Sequence, residues 1–208
     1  MISVEDWGLI EYKVGWDRQK LYADEVYSRK RVSTLVLCEH PSVITIGKTG
    51  SQNNIIPKPE FLKQMGIDVF EIDRGGDVTL HNPGQLVGYP IFNLADFRQD
   101  LHWFLREIEQ CIIELLKDYN IKSSRVDGLT GVWIDNFRKI CAMGLHCSRW
   151  VTSHGFALNV HNNLKEFDFI VPCGIKDKDV TSIERELGTR IEISEVKQKC
   201  AERFEKHF

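Results

Sequence analysis

The sequence predicts an α+β fold in which a mixed or antiparallel β-sheet is flanked by helices. Short β-branched apolar segments and longer amphipathic segments follow one another without the regular alternation that a parallel α/β fold requires. The chain has 208 residues, of which 42% are hydrophobic and 27% charged. This length is enough for one well-buried core and is short for two full domains. We therefore predict a single domain spanning residues 1–208.

The first third of the chain contains three short apolar segments that predict strands. They are TLVLCEH (34–40), VITIGK (43–48) and IDVFEI (67–72). Between the second and third, KPEFLKQMG (58–66) predicts a short helix that ends at Gly66. VTL (78–80) then predicts a strand that ends at His81, followed by a turn at 82–84.

The clearest helix is predicted over residues 98–119. Its apolar face recurs at steps of three and four residues: Leu101, Leu105, Ile108, Ile112, Leu115 and Tyr119. Three strand-like segments follow and predict an antiparallel meander: GVWIDNF (131–137), KICAMGLHC (139–147) and GFALNV (155–160).

Two helices are predicted near the end of the printed sequence. TSIERELG (181–188) opens with a Thr181/Glu184 capping box, and SEVKQKCAERFEKHF (194–208) has Ser194 at its N-cap.

Composition and motifs argue against several classes of function. The net charge of −3 disfavours bulk nucleic-acid binding, and no apolar segment approaches the roughly 20 residues of a membrane span. The first residues lack a basic and then apolar signal pattern, so we expect a cytoplasmic protein. No CxxC, HExxH or GxxxxGK[ST] motif occurs, so we expect no metal and no cofactor.

One of the six cysteines lies in a constrained sequence, VPCGI (171–175). Pro172 fixes its own φ and Gly174 adopts conformations closed to other residues, so this segment predicts a sharp turn that presents Cys173. The alternative is a buried loop thiol, because free cysteine commonly behaves as a small hydrophobe.

A second notable segment is RGGDVTLHNPGQLVGYP (74–90). Adjacent glycines let a backbone pass close to a ligand. The alternative is a strand between two hairpin turns, with Arg74 in a surface ion pair.

Five segments resemble, in order and spacing, the lipoyl(octanoyl) transferase family, a relative of the biotin and lipoate protein ligases. They are EHPSVITIG (39–47), RGGDVTLHNPGQLVGYP (74–90), RKICAMGLH (138–146), HGFALNV (154–160) and VPCGIKDKDVTSIE (171–184). The resemblance implies a ligase-like fold and transfer of an octanoyl group from acyl carrier protein to a lysine of lipoyl domains. The acceptors it implies are 2-oxoacid dehydrogenase E2 subunits and the glycine cleavage H protein.

The chain departs from the family pattern at a few positions, which leaves the shape of the acyl pocket open. They are Leu80, Asn82, Cys141, His146 and Cys147.

The resemblance also implies the site. Cys173 is the expected nucleophile, and Lys139 is the expected neighbour that stabilises its thiolate and moves protons. The expected substrate-binding residues are Arg74, Gly75, Gly76, Asp77, Val78, Thr79, Leu80, His81, Ala142, Met143 and Gly144, with Gly155, Phe156 and Ala157 in an HGFA turn. His81 could orient the thioester or donate a hydrogen bond to its carbonyl. The amides of Gly144 and Gly174 are alternatives for an oxyanion hole.

Structural roles are the alternative interpretation for several of these residues. Lys139 could be a solvated charge at a strand edge, and His81 could be satisfied by a turn. The basic residues Arg29, Lys30 and Arg31 and the pair Lys176/Lys178 could meet an acidic carrier protein, although the first group also suits a solvated helix end.

The implied chemistry needs a thiol and no ATP. Thiol exchange gives an acyl-enzyme thioester, and transfer to an amine is downhill, which predicts ping-pong kinetics. The alternatives are an ATP-dependent lipoate or biotin ligase and a non-catalytic module that binds acyl carriers or lipoyl domains.

Overall fold

The computed structural model describes residues 1–171 and 178–208 and confirms the α+β class. The helices are α1 (Tyr12–Tyr27), α2 (Pro59–Gln64), α3 (Leu101–Lys117), α4 (Ile183–Leu187) and α5 (Ile193–His207). The strands are β1 (Ser3–Leu9), β2 (Thr34–Glu39), β3 (Val43–Ile46), β4 (Asp68–Glu71), β5 (Val78–His81), β6 (Gln85–Ile91), β7 (Ser124–Val126), β8 (Leu129–Ile134), β9 (Arg138–Ser148), β10 (Val151–Asn159) and β11 (Asp179–Val180). None of these described helices has the length and apolar composition needed to cross a bilayer.

Within the described residues the strands form two sheets. The large sheet has the order β1-β2-β6-β10-β9-β8-β7, and β11 pairs with β9. Its β1–β2 and β9–β11 pairs are parallel and the others are antiparallel, so the sheet is mixed as predicted. The small sheet has the order β4-β3-β5.

Helices cover both faces of the large sheet, and strand alternation divides the core accordingly. On β2, Leu35 and Leu37 pack in the cluster that contains α3 and α5, whereas Val36 and Cys38 pack in the cluster that contains Val26 of α1. Both faces of β2 are therefore buried, which explains why its sequence is almost continuously hydrophobic.

The predicted meander is confirmed, and one of its two turns is made of residues that seldom adopt positive φ. β8, β9 and β10 are antiparallel neighbours in that order. The β9–β10 hairpin turns at Arg149 and Trp150, both with positive φ (52° and 63°), which matches the twist of the flanking strands. The β8–β9 hairpin does the same at Asp135 and Asn136.

Two predicted helix caps are wrong by one or two residues. Ser182, rather than Thr181, caps α4, with its hydroxyl accepting from the Arg185 N–H. Thr181 is still extended because its N–H donates to the carbonyl of Lys139 (3.0 Å). α5 begins at Ile193 after Glu192, so Ser194 lies inside its first turn.

Two of the three basic residues that follow α1, Arg29 and Arg31, form ion pairs within the chain. Arg31 pairs with Glu5 and Glu25, each at 2.7 Å, and Arg29 pairs with Asp96. These ion pairs favour a structural role close to the helix end over docking of a carrier protein.

The small sheet contacts the large one through the loop between β4 and β5. Gly75 donates its N–H to the carbonyl of Leu145 on β9 (2.9 Å). A Cβ on the neighbouring Gly144 would lie 2.6 Å from the Gly75 carbonyl oxygen, which is too close for any side chain. Glycine at 144 therefore permits the backbone of one sheet to lie directly against the other.

A buried carboxylate joins α3 to the β7–β8 hairpin. Glu109 is fully buried and accepts hydrogen bonds from Arg106 (2.6 Å), Arg125 (3.0 Å) and the N–H of Gly131 (2.9 Å). Its carboxylate thus fixes the hairpin against the helix.

We expect Glu109→Ala to lower the free energy of unfolding by roughly 1–3 kcal/mol, because it leaves the buried N–H of Gly131 without its acceptor and removes the carboxylate that binds the partly exposed Arg106 and Arg125. Urea denaturation measures this change. Glu205→Ala, at an exposed position of α5, is the matched control and should have little effect. Equal stability of the two variants would contradict a structural role for Glu109.

Candidate active site

A cavity of about 460 Å³ lies where the two sheets meet. This volume is within the range of roughly 300–1,000 Å³ that is usual for small-molecule sites. It is lined by Lys139 and by nearly all of the predicted substrate-binding residues: Arg74, Gly75, Gly76, Asp77, Val78, Thr79, His81, Ala142, Met143, Gly144, Gly155, Phe156 and Ala157. Residues from three separate segments of the sequence thus come together around one space.

Leu80 does not line this cavity. It is fully buried in the core of the small sheet, with Ile44 and Leu62 in the same cluster. Successive side chains of a strand point to opposite faces, so Leu80 faces the core between its two cavity-lining neighbours, Thr79 and His81.

Arg74 lies buried in the cavity wall and binds backbone and side-chain oxygens there. Its side chain is buried and donates to the hydroxyl (3.0 Å) and carbonyl (2.9 Å) of Thr45 on β3 and to the carbonyl of Gly75 (3.0 Å). The side chain expected at the surface is therefore inside the protein. The guanidinium stabilises the close approach of the loop to the large sheet.

Lys139 lies inside the sheet rather than at an exposed edge. It is half-buried on β9, and both neighbouring strands pair with it. β8 lies on one side, and β11 lies on the other, with Val180 opposite Lys139 in parallel register. Its Nζ is 4.6 Å from the centroid of the buried Trp133 ring, a distance at which the ring face attracts an ammonium. Lys139 therefore has a defined position in the cavity wall.

The predicted nucleophile Cys173 lies outside the described residues, as do Gly174 and Lys176. On either side, the Val171 N–H donates to the carbonyl of Asn54 (2.8 Å), and Val180 lines the cavity. The role of Cys173 stays a prediction.

The five described cysteines are poor candidates for a nucleophile. Cys38, Cys111, Cys141 and Cys200 are buried and Cys147 is half-buried. Burial raises the pKa of each thiol, for Cys111 to about 12, because a thiolate is costly in apolar surroundings.

His81 is a neutral imidazole in the cavity wall. Burial, with His40 nearby as a further cause, lowers the pKa of His81 to about 3. Its ring stacks on Tyr12 with centroids 5.9 Å apart, and its Nδ1 is 2.7 Å from Oε1 of Gln85. The residue is held by a side chain from β6 rather than by turn backbone alone.

His40 and Tyr89 form a second buried pair beside His81. The Nδ1 of His40 donates to the carbonyl of Ile10 (2.6 Å), so its Nε2 accepts from the hydroxyl of Tyr89 (2.6 Å). Burial lowers the pKa of His40 to about 4, which keeps the ring neutral. Tyr89 also lines the cavity, and its hydroxyl donates its hydrogen bond to His40.

His154 is a site residue that the sequence analysis did not select, although it opens the HGFA segment. It lines the cavity, is buried, and its Nε2 donates to Asp73 (2.8 Å). That hydrogen bond holds the pKa of Asp73 below its usual range, while burial lowers the pKa of His154. The predicted HGFA turn is wrong: the segment is the middle of β10, where His154 has a φ of 57°.

Several further residues line the cavity without having been predicted to do so: Tyr12, Val87, Tyr89, Leu101, His102, Leu105, Gly128, Leu129, Thr130, Leu145, His154, Phe167 and Val180. Leu101 and Leu105 belong to the predicted apolar face of α3. Helical periodicity assigned them to the core, and it does not distinguish a core contact from the wall of an apolar cavity.

In the part of the chain that the structure describes, no group of three or more His, Cys, Asp or Glu side chains could hold a metal ion. The cavity therefore offers a half-buried lysine, neutral imidazoles and an apolar wall. These groups suit an apolar ligand with one polar end.

Known proteins resemble this chain over nearly its whole length. The lipoyl protein ligase A/B catalytic domain model matches residues 11–205. An octanoyltransferase of Cytophaga hutchinsonii is 48% identical, with 94% of this chain and 88% of the relative covered. An octanoyltransferase of Caldicellulosiruptor bescii is also 48% identical, with 97% and 89% covered.

Solved structures share the fold at low sequence identity. A bipartite lipoate protein ligase from Thermoplasma acidophilum superposes with a TM-score of 0.76 at 16% identity, covering 99% of this chain and 82% of that one. A biotin protein ligase from Aquifex aeolicus gives 0.55 at 14% identity, covering 100% and 68%. These likenesses confirm the predicted ligase-like fold. From the matched family model and the identities to its relatives, the chain belongs to the lipoyl protein ligase A/B catalytic domain family.

Proposed function

We propose that this chain is an octanoyltransferase that moves an octanoyl group from acyl carrier protein to a lysine of lipoyl domains. The observation that carries the proposal is the cavity that combines Lys139 with an apolar wall from α3, β9 and β10. The octanoyltransferases among its relatives, at 48% identity, support the same activity. Residues 1–208 would act as one catalytic domain.

The reaction would proceed in two steps through Cys173. The Cys173 thiolate attacks the carbonyl carbon of the octanoyl thioester, the bond to the carrier sulfur breaks, and the carrier leaves as a thiol after gaining a proton. The acceptor amine then attacks the carbonyl carbon of the Cys173 thioester, the bond from that carbon to the Cys173 sulfur breaks, and the amine loses a proton as the amide forms, which regenerates the Cys173 thiolate.

Lys139 would assist both steps. As an ammonium it stabilises the thiolate and can give the departing carrier thiol its proton; as the resulting amine it can take the proton from the attacking amine. The contact of its Nζ with the Trp133 ring supports a fixed position for this exchange.

The partners follow from the reaction. The donor would be octanoyl-acyl carrier protein, and the acceptors would be lipoyl domains of 2-oxoacid dehydrogenase E2 subunits and the glycine cleavage H protein. The site of action would be the cytoplasm. Lys178, whose Nζ donates to the carbonyl of Asn136 (2.7 Å), remains a candidate carrier contact near Lys139.

An ATP-dependent ligase is the second candidate, because ligases share this fold. A lipoate protein ligase A structure with bound ATP superposes with a TM-score of 0.74 at 15% identity. Likeness at that identity supports the fold alone. The transferase is favoured because the octanoyltransferases match at far higher identity.

The first prediction concerns the acyl-enzyme. Mixing the protein with octanoyl-acyl carrier protein, without ATP, should add one octanoyl group to Cys173, detected by intact mass and peptide mapping. Cys173→Ala should gain no mass and lose octanoyl transfer by several orders of magnitude.

Cys147→Ala is the matched control, because Cys147 is the one half-buried thiol among the described cysteines. It should acylate like the wild type. Product formation that requires ATP, or full transfer by Cys173→Ala, would exclude the proposed mechanism; binding of both partners without transfer would indicate a non-catalytic module.

The second prediction concerns Lys139. Lys139→Ala should slow iodoacetamide alkylation of Cys173 at pH 7 by about tenfold, because loss of the ammonium reduces the thiolate fraction. Peptide mass spectrometry follows the Cys173 peptide over time. Lys117→Ala, exposed at the end of α3, should alkylate at the wild-type rate. An unchanged rate in Lys139→Ala would remove Lys139 from this role.

A further inference from the structure

A chain of buried amides begins at two backbone carbonyls. The side-chain nitrogen of Gln85 faces the carbonyl of Leu80 (3.3 Å), and the side-chain nitrogen of Asn159 faces the carbonyl of Thr181 (2.9 Å). A carbonyl oxygen only accepts, so each of these amides must direct its NH₂ group there. The orientation of both side chains is therefore fixed by backbone.

These orientations determine the rest of the chain. With its nitrogen toward Thr181, Asn159 directs its oxygen at the NH₂ group of Gln85 (2.9 Å). Gln85 in turn directs its oxygen at Nδ1 of His81 (2.7 Å). An amide oxygen accepts a hydrogen bond, so Nδ1 of His81 carries the hydrogen.

The other nitrogen of His81 consequently bears a lone pair. The pKa of His81 lies near 3, so the ring takes up no second proton at neutral pH. The neighbouring His40 and Tyr89 leave this arrangement unchanged, because the Nδ1–H of His40 is directed to Ile10 and the Tyr89 hydroxyl to His40. His81 lines the cavity as a hydrogen-bond acceptor at Nε2.

We propose that Gln85 is a positioning residue that holds His81 as an acceptor, so that His81 receives an N–H of the attacking amine and does not donate to the thioester carbonyl. The inference rests on the proposed function. Of the two reacting groups, the thioester offers only acceptor atoms, whereas the amine offers N–H donors. His81 therefore acts in the second step, transfer to the amine.

The same amide chain reaches the strand of Lys139. Thr181, whose carbonyl orients Asn159, donates its own N–H to the carbonyl of Lys139 (3.0 Å). His81 is thus connected to the backbone of Lys139 through the side chains of Gln85 and Asn159 and the backbone of Thr181. Removal of Gln85 changes the orientation of His81 without touching the reacting atoms.

The tautomer of His81 is the direct test and needs no transfer activity. In protein labelled with ¹⁵N-histidine, two-bond ¹H–¹⁵N correlation spectra distinguish a protonated Nδ1 from a protonated Nε2. The His81 signals are those absent from His81→Asn. We expect the Nδ1–H form in the wild type, a mixture with Nε2–H in Gln85→Met, and the wild-type pattern in Gln198→Met, which alters an exposed glutamine of α5. A wild-type Nε2–H form, or an unchanged tautomer in Gln85→Met, would overturn the proposal.

The separate half-reactions test the consequence. In His81→Asn, the side-chain NH₂ group of asparagine can still donate to Gln85 from near the position of Nδ1. The acceptor at the position of Nε2 is lost. We expect an unchanged rate of acyl-enzyme formation and transfer to the amine slowed by about tenfold or more, through loss of a positioned acceptor. Equal slowing of both steps, or of neither, would contradict a role at the amine. If the wild type forms no acyl-enzyme, the proposed function fails, and the spectra alone still decide the role of Gln85.

Discussion

The site depends on the backbone crossing at which the loop carrying Gly75 lies against β9 at Gly144 and Leu145. The Gly75 N–H donates to the Leu145 carbonyl, and the space left at Gly144 admits no Cβ. Arg74 stabilises the crossing by binding β3 with its buried guanidinium. This contact brings the small sheet against β9 of the large sheet, and residues of both sheets line the cavity beside it.

Four polar side chains that are buried beside the cavity, those of Asn159, Gln85, His81 and His154, have orientations set by their hydrogen-bond partners. Backbone carbonyls orient Asn159 and Gln85, and Gln85 orients His81. Asp73 orients His154 in the same way, since a carboxylate only accepts. Because an unpaired polar group is costly in a low-dielectric interior, each of these side chains is confined to one arrangement, and the cavity presents fixed donors and acceptors.

The shared fold explains why the family contains both ligases and transferases. Superposition with lipoate and biotin protein ligases shows that this chain shares their fold, and one fold can carry different activities. In the function proposed for this chain, Lys139 on β9 and Cys173 are the groups that would transfer the acyl chain without ATP.

The sequence by itself determined the strands and helices whose apolar periodicity is strong, including α3 and the β8–β9–β10 meander. It also determined most of the cavity wall, because RGGDVTLH and KICAMG are recognisable as segments of a known family. Only the tertiary structure decided that Leu80 belongs to the core, that HGFA is the interior of a strand, and that Leu101, Leu105 and His154 line the cavity. The physical reason is that periodicity records which side of an element is apolar. Whether that side meets packed atoms or a cavity depends on elements far away in the sequence.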